Sequence, residues 1–347
     1  MARIAFDLPF RSAGLPDLTD ATEHHHRWLL EMGLLTSTAA VDRLMSWGPH
    51  RCAAHFHPYA RGADLLLATD FYGWMMAIDG QFDGPMRDRP DQVRQIIQRH
   101  VAILDGRAPS PMSSAEKAFA DIWERMTAGM SSAWPARAGA CFARFLQSYT
   151  EEAVNRRDKV NLHPETYLAL RTRSGAMDII RKLAERINDC ELPQRVTDHE
   201  VVRQLCYLST QIIDVVQDVL SLDKEVAEGE MHNLVLVLQR HHGWDEGRAV
   251  DHSRTMVREW VHSFHALQGD LPAVCAQLDL SDTERARLYR YVEALRACMR
   301  GNHDWCSESP RYAPDAGEGS LYVGYLEGLA HAYHLPEDSV GSPTGDL

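Results

Sequence analysis

Apolar residues recur every three to four positions along most of this 347-residue chain, and that period decides its fold class. Segments 20–33, 62–82, 114–128, 138–157, 196–226, 247–267 and 283–300 all carry the repeat. At 3.6 residues per turn such a repeat becomes one apolar helix face. Alternating runs that would mark half-buried strands are essentially absent. Helix starts agree: "SSAE" at 113–116 and "SDTE" at 281–284 read as Ser-x-x-Glu capping boxes. The breaks "DGPMRDRPD", "GRAPSP", "NLHPE" and "APDAGEGS" are too short for inter-domain linkers, and no internal repeat is present. The sequence therefore predicts an all-α, single-domain bundle of about ten or more helices. The domain is expected over residues 1–335, with a disordered tail at 336–347.

Charge narrows the function. Acidic residues outnumber basic ones 49 to 36, a formal net charge of -13. Such a surface repels phosphate backbones and anionic lipid, so no nucleic-acid partner is expected. An anionic substrate would need a locally basic pocket. No run approaches the ~18 apolar residues that span a bilayer, and "MARIAFDLPFRSAGLPDLTD" shows no secretory h-region. The seven cysteines are widely spaced without a CxxC pair. They point to reduced, packed thiols and a cytoplasmic location. The "HHH" at 24–26 lacks the i, i+4 spacing of a helical metal site and reads as a surface run.

Four short stretches carry chemistry. In "VQDVLSLDKE", Gln217, Ser221 and Glu225 fall at i, i+4 and i+8, on one helix face. An amide, a hydroxyl and a carboxylate are hard oxygen donors that suit Mg²⁺, held by few protein ligands plus a phosphate. Lys224 could reach that phosphate as a point charge. A solvated polar stripe has the same spacing. In "FYGWMMAIDGQFDGP", Asp79 and Asp83 end a strongly apolar helix, where unpaired carboxylates are costly and dipole-unfavourable. A solvated helix end fits the same residues. In "YLALRTRSG", Arg171 lies in an apolar context and can clamp a phosphate, while Gly175 permits a kink or close backbone approach. An ordinary salt-bridged arginine fits equally. Arg311 and Tyr312 in "DWCSESPRY" mean little alone.

Taken together, two acidic helix faces and two arginine sites in an apolar helical protein describe a metal-bound diphosphate above a greasy cavity. Here the chain resembles the bacterial class I terpene synthases. Gln217-Asp218 through Ser221 to Lys224-Glu225 matches their N-D-x-x-S-x-x-K-E motif, and Asp79 to Asp83 matches D-D-x-x-D. The family's diphosphate-sensing arginine stands 46 residues before the first ligand of that motif, the distance from Arg171 to Gln217. By the same pattern Ser174 is the linker, Gly175 the effector, Arg311-Tyr312 the C-terminal Arg-Tyr pair and Trp305 a cavity aromatic. The resemblance runs from about Phe6 to His334. It has two departures: Gln217 stands for the usual Asn, and Gly80 for the second aspartate.

The resemblance implies a helical bundle around an apolar active-site cavity, three Mg²⁺ ions, and cyclisation of an isoprenyl diphosphate. Asp79, Asp83, Gln217, Ser221 and Glu225 would hold the metal; Arg171, Lys224, Arg311 and Tyr312 would bind the diphosphate. A homodimer is possible by the same analogy. Trp74, Met75, Met76, Ala77 and Ile78 stand where relatives carry more aromatics, so the expectation is a roomier wall with fewer π faces. That wall leans the substrate to geranylgeranyl diphosphate, with farnesyl diphosphate as the alternative. Trp74 and Trp305 are the expected cation-stabilising rings. A chain-elongating prenyltransferase fits less well, because only one defective aspartate-rich motif is present. A catalytically inactive prenyl-diphosphate binding protein is the alternative of another class.

Overall fold

The computed structural model describes residues 6–12, 14–35, 37–84 and 86–312. Among them sixteen α-helices and one 3₁₀ turn are present, and no strand. The first half contains α1 (Thr19–Met32), α2 (Thr38–Ser46), α3 (Pro49–Phe56), α4 (Gly62–Asp83), α5 (Pro90–Leu104), α6 (Ser114–Thr127), α7 (Trp134–Asp158) and α8 (Pro164–Ser174). The second contains α9 (Met177–Ile187), α10 (Gln194–Thr197), α11 (Glu200–Leu220), α12 (Leu222–Ala227), α13 (Leu234–His242), α14 (Glu246–Gln268), α15 (Leu271–Gln277) and α16 (Asp282–Glu308). The 3₁₀ turn Pro310–Tyr312 follows. The expected tail at 336–347 lies outside the described residues.

Both predicted capping boxes form. Ser113 accepts from the Glu116 amide ahead of α6, and Ser281 does the same for Glu284 ahead of α16, each with the reciprocal glutamate contact. Such caps satisfy amides that the first helical turn otherwise leaves open, each worth about 1 kcal/mol. The short helices α2, α3, α10, α12, α13 and α15 escape the periodicity because two turns display too few apolar positions.

One expected helix is broken. Residues 196–226 read as a single run, yet α11 ends at Leu220 and α12 begins at Leu222. Ser221 Oγ returns to the Gln217 carbonyl at 2.8 Å, a back-bond that bends helices.

A ring of long helices encloses one apolar core. α4 packs on α3, α1 and α6; α11 packs on α14 and α16; α5 packs on α7. α16 crosses α3 closely, and a Cβ at Gly301 would lie 2.1 Å from the His55 carbonyl oxygen. Only glycine allows that approach.

The histidine run is not a surface run. His25 is fully buried with Nδ1 2.8 Å from Asp70 Oδ1, and His24 Nε2 lies 2.8 Å from Asp70 Oδ2. Arg125 completes the group 2.9 Å from the same carboxylate. A buried aspartate on α4 thus receives two imidazoles of α1 and one arginine of α6, which satisfies a charge that burial alone would forbid. All seven cysteines are free thiols, six of them buried. Among the described residues no helix is long and apolar enough to cross a membrane.

Candidate active site

One cavity of about 100 Å³ opens among α3, α4, α7, α8, α11 and α16. Its wall collects side chains far apart in the chain: Asp79, Arg171, Gln217, Arg311 and Tyr312 supply the polar groups. Phe56, Tyr72, Met75, Met76, Phe145, Tyr149 and Trp305 supply the apolar surface. Two of the four sequence stretches meet the other two here.

The α4 contribution follows helical geometry. Residues 72, 75, 76 and 79 share one face at 100° per residue, and these line the cavity. Trp74 and Ile78 point to the opposite face, which corrects their assignment to the substrate wall. Trp74 is fully buried, stacks on Phe119 at 4.8 Å and donates its indole N–H to the Ala115 carbonyl at 3.2 Å. Ile78 is buried in the core away from the wall. The expectation of few π faces is also corrected: Phe56, Phe145, Tyr149 and Trp305 arrive from α3, α7 and α16. Trp305 keeps its place on the wall, its indole N–H donating to Trp47 O at 3.3 Å.

At the mouth, each aspartate of α4 is held by an arginine. Arg311 Nη2 lies 2.5 Å from Asp79 Oδ2, and Tyr149 OH donates to Asp79 Oδ1 at 3.2 Å. Arg156 Nη2 lies 2.6 Å from Asp83 Oδ1 and also pairs with Glu230 at 3.0 Å. Burial, then repulsion from Asp79, raises the Asp83 carboxyl well above its ordinary range. Burial pushes Glu230 up, yet His232 and Arg156 outweigh it and hold that carboxyl well below. Arg156 and Glu230 were not read from sequence. The available signal was the stripe Phe145, Tyr149, Glu152, Arg156, which changes from aromatic to charged along one face of α7.

The opposite side is built at the α11–α12 bend. Ser221 Oγ lies 2.7 Å from Glu225 Oε1, and Asn233 Nδ2 donates to Glu225 Oε2 at 2.7 Å. Gln217 Nε2 donates to Tyr312 OH at 3.3 Å, which leaves the amide oxygen for another partner. Asp83 and Ser221 sit about one helical turn beyond the wall residues Asp79 and Gln217, and Glu225 follows on α12. Lys224 turns aside, its Nζ 2.5 Å from Glu228 Oε2, and does not line the cavity.

The donor set fits a hard divalent cation. Glu225 is half-buried, and burial followed by the nearby Asp218 pushes its carboxyl up to about 8 against the opposing charge of Lys224. The Ser221 hydroxyl stands beside it, and the Gln217 amide lies further along the same run. Among the described residues no group of three or more His, Cys, Asp or Glu side chains is placed to hold a metal alone. One carboxylate with two neutral oxygens facing an aspartate pair suits Mg²⁺, whose remaining ligands are water and phosphate oxygens.

Behind this wall lies an ionic core that sequence reading missed. Arg171 Nε donates to Asp218 Oδ1 at 3.0 Å; Tyr167 OH donates to Asp218 Oδ2 at 2.6 Å. The Leu234 amide donates to the same oxygen at 2.8 Å. Asp218 thereby fixes α8 and the start of α13 onto α11. Gly175 and Ser174 both line the cavity beside Arg171, where α8 gives way to α9. The left-handed turn there is taken by Ala176, with φ of 63°, and not by Gly175, with φ of -69°. Glycine is required at 175 for a different reason: a Cβ would lie 2.0 Å from Asp214 Oδ1.

A helical bundle that brings hard-oxygen donors and arginines to the mouth of one apolar cavity is the class I terpenoid synthase architecture. The chain belongs to the terpene synthase family: the family model described as "Terpene synthase family 2, C-terminal metal binding" matches residues 70–263. It is a terpene cyclase of the carbon–oxygen lyase class. It is 36% identical to a pentalenene synthase of Streptomyces avermitilis, over 94% of this chain and 98% of the relative. It is likewise 36% identical to a (-)-beta-caryophyllene synthase of Saccharothrix espanaensis, described as farnesyl diphosphate cyclizing, over 94% of this chain and 93% of that protein. Among solved structures, germacradien-4-ol synthase from Streptomyces citricolor superposes with a TM-score of 0.80 at 30% identity, covering 88% of this chain and 99% of that one.

Proposed function

We propose that this protein ionises and cyclises farnesyl diphosphate to a sesquiterpene. The observation that carries this reading is one cavity with Asp79, Arg171, Gln217, Arg311 and Tyr312 at its polar end and mostly apolar or aromatic residues around the rest. The polar end is built for a leaving group and the apolar end for its hydrocarbon.

Asp79 and Asp83 on one side and Gln217, Ser221 and Glu225 on the other would hold Mg²⁺, three ions by analogy with the family. Bound there, the metal supplies Lewis-acid neutralisation of the leaving diphosphate. Arg171, Arg311 and Tyr312 bind the diphosphate oxygens, and their charge acts where negative charge develops as the allylic C–O bond breaks. Lys224 joins them only by releasing Glu228. Phe56, Phe145, Tyr149 and Trp305 fold the polyene and present π faces to the cation. Their enclosure also excludes the water that would quench it. Cyclisation forms a carbon–carbon bond at the cation. The departing diphosphate is the nearest proton acceptor for the terminating deprotonation.

The choice of C15 reverses the sequence-based lean to C20. That lean assumed a wall with little aromatic bulk, whereas four aromatics from other helices fill it. The farnesyl diphosphate activity of the caryophyllene synthase relative supports the same length. Incubation with geranyl, farnesyl and geranylgeranyl diphosphates and Mg²⁺ in parallel, with gas chromatography of the extracts, tests it. Farnesyl diphosphate is expected to give cyclic product. Turnover of geranylgeranyl diphosphate alone would refute the assignment.

A further inference from the structure

Behind Gly175 lies a cluster of buried polar groups without hydrogen-bond partners. Asp214, on α11 one turn before Asp218, is fully buried and neither carboxyl oxygen has a hydrogen-bond partner. Ser174 Oγ and Gln211 Oε1 are likewise buried without one. Gln211 belongs to the same face of α11 and donates through Nε2 to Thr172 Oγ1 at 2.7 Å. All three orphaned groups therefore border the last turn of α8. Leaving such groups unpaired costs on the order of 1–3 kcal/mol each, and such strain is retained where it serves a site.

The break itself is under conformational load. Ala176 adopts φ of 63°, a left-handed conformation that disfavours a side chain. Its neighbour Gly175 approaches Asp214 so closely that a Cβ would meet Oδ1 at 2.0 Å and Cγ at 2.8 Å. Both residues line the cavity, and Gly175 N donates to Arg171 O at 2.7 Å. The carboxyl of Asp214 is thus a wedge between α11 and the one non-helical stretch of the cavity wall. An aspartate is short, and this one is enclosed, so it cannot swing away as a long surface side chain would. Burial pushes its carboxyl up to about 8, so at neutral pH the wedge is mostly the neutral acid.

We propose that Asp214 is a positioning residue of the active site: seated against Gly175, it sets where the Gly175–Ala176 backbone meets the substrate and so governs which products form. It touches neither substrate nor metal and acts through Gly175 and Arg171. The inference rests on the cyclase reading above. Misplacing one wall segment by about 1 Å costs on the order of 10²-fold in rate, and a displaced carbonyl redirects a cation as readily as it slows one.

The test compares wild type with Asp214→Ala, Asp214→Asn, Gly175→Ala and the Asp214→Ala/Gly175→Ala double variant. Total turnover and product ratio are read by gas chromatography, and folding by circular dichroism. Wild-type turnover tests the cyclase reading by itself. With that activity present, Asp214→Ala is expected to shift the product ratio at least about threefold. Its kcat should fall about tenfold with KM within about threefold. Gly175→Ala should lose more than about tenfold, and the double variant should recover most of that loss because the wedge is gone. Asp214→Asn keeps the shape of the wedge and is expected to hold the wild-type product ratio; if Asp214→Ala does not fold, Asp214→Ser, which shortens the wedge, carries the product-ratio readout. An unchanged product ratio in the shortened variant overturns the proposal, and so do an Asp214→Asn variant that behaves like Asp214→Ala and a double variant no better than Gly175→Ala.

Discussion

Arg311 Nη2 lies 2.5 Å from Asp79 Oδ2, tying the C-terminal 3₁₀ turn to the last turn of α4 across the cavity mouth. Arg311 also stacks over the Trp47 ring at 4.7 Å, which holds the guanidinium in place. The pair joins the proposed diphosphate-binding arginine to a proposed metal ligand, so the aspartate has a cationic partner before any metal arrives. Gly80 removes the second carboxylate of the motif, and the arginine engages the first.

Arg311→Gln should therefore lower kcat/KM for farnesyl diphosphate by about 10²-fold or more, the scale of one removed charge at a developing anion. In metal-free buffer its stability should fall by only about 1 kcal/mol, because Asp79 is a third exposed and solvent screens its loss. Steady-state kinetics and thermal denaturation measure the two effects. An unchanged kcat/KM removes Arg311 from the diphosphate site.

Glu225→Gln keeps the shape that Ser221 and Asn233 contact and removes the charge a metal needs. Activity should fall about 10²- to 10³-fold, with stability unchanged or higher, since burial already disfavours the ionised form. Isothermal titration with Mg²⁺ and inorganic diphosphate should show weakened binding. Gln217→Asn is the gentler partner experiment: it loses the reach to Tyr312 but keeps an amide oxygen, so activity should stay within about tenfold.

The two tryptophans of the original assignment should separate cleanly. Trp74→Ala opens a void in the packed core and should cost about 3–5 kcal/mol, while Trp74→Phe should leave the product ratio as it is. Trp305→Ala should change the product ratio, because that ring lines the cavity. Gas chromatography with thermal denaturation distinguishes them, and a changed product profile in Trp74→Phe would return that residue to the wall.

Acid should destabilise the fold through His57. This imidazole is buried on α3's C-terminal side, with Nε2 3.2 Å from Tyr72 OH, and burial pushes its pKa from 6.5 down to about 3. The unfolded chain therefore binds a proton that the folded chain refuses. Its contribution is complete above pH 6.5 and is lost as pH falls from 6.5 toward 3, about 2 kcal/mol by pH 5. Chemical denaturation at pH 7, 6 and 5 measures the slope, and His57→Gln should make it shallower. An identical slope in the variant would place the acid sensitivity elsewhere, for example in buried His25 or His100.

By itself the sequence determined the helical class, the two capping boxes and the groups destined for the mouth. Each of these depends on neighbours within one or two turns, where 3.6-residue spacing is reliable. It also held the face rule that separates Met75 and Met76 from Trp74 and Ile78, although the apolar run 74–78 hid it because every position there is greasy. Only the tertiary structure decided the remainder. The aromatic wall comes from three helices remote in sequence, Arg156 meets Asp83 across 73 residues and Glu230 across 74, and Asp214 finds Gly175 through the crossing of α11 on α8. Long-range partners such as these depend on helix packing angles and side-chain volumes throughout the core, which no local period encodes. The same physics turned a histidine run that reads as solvent-facing into the buried clasp of Asp70: three adjacent residues point three ways, and the bundle chose which way was inside.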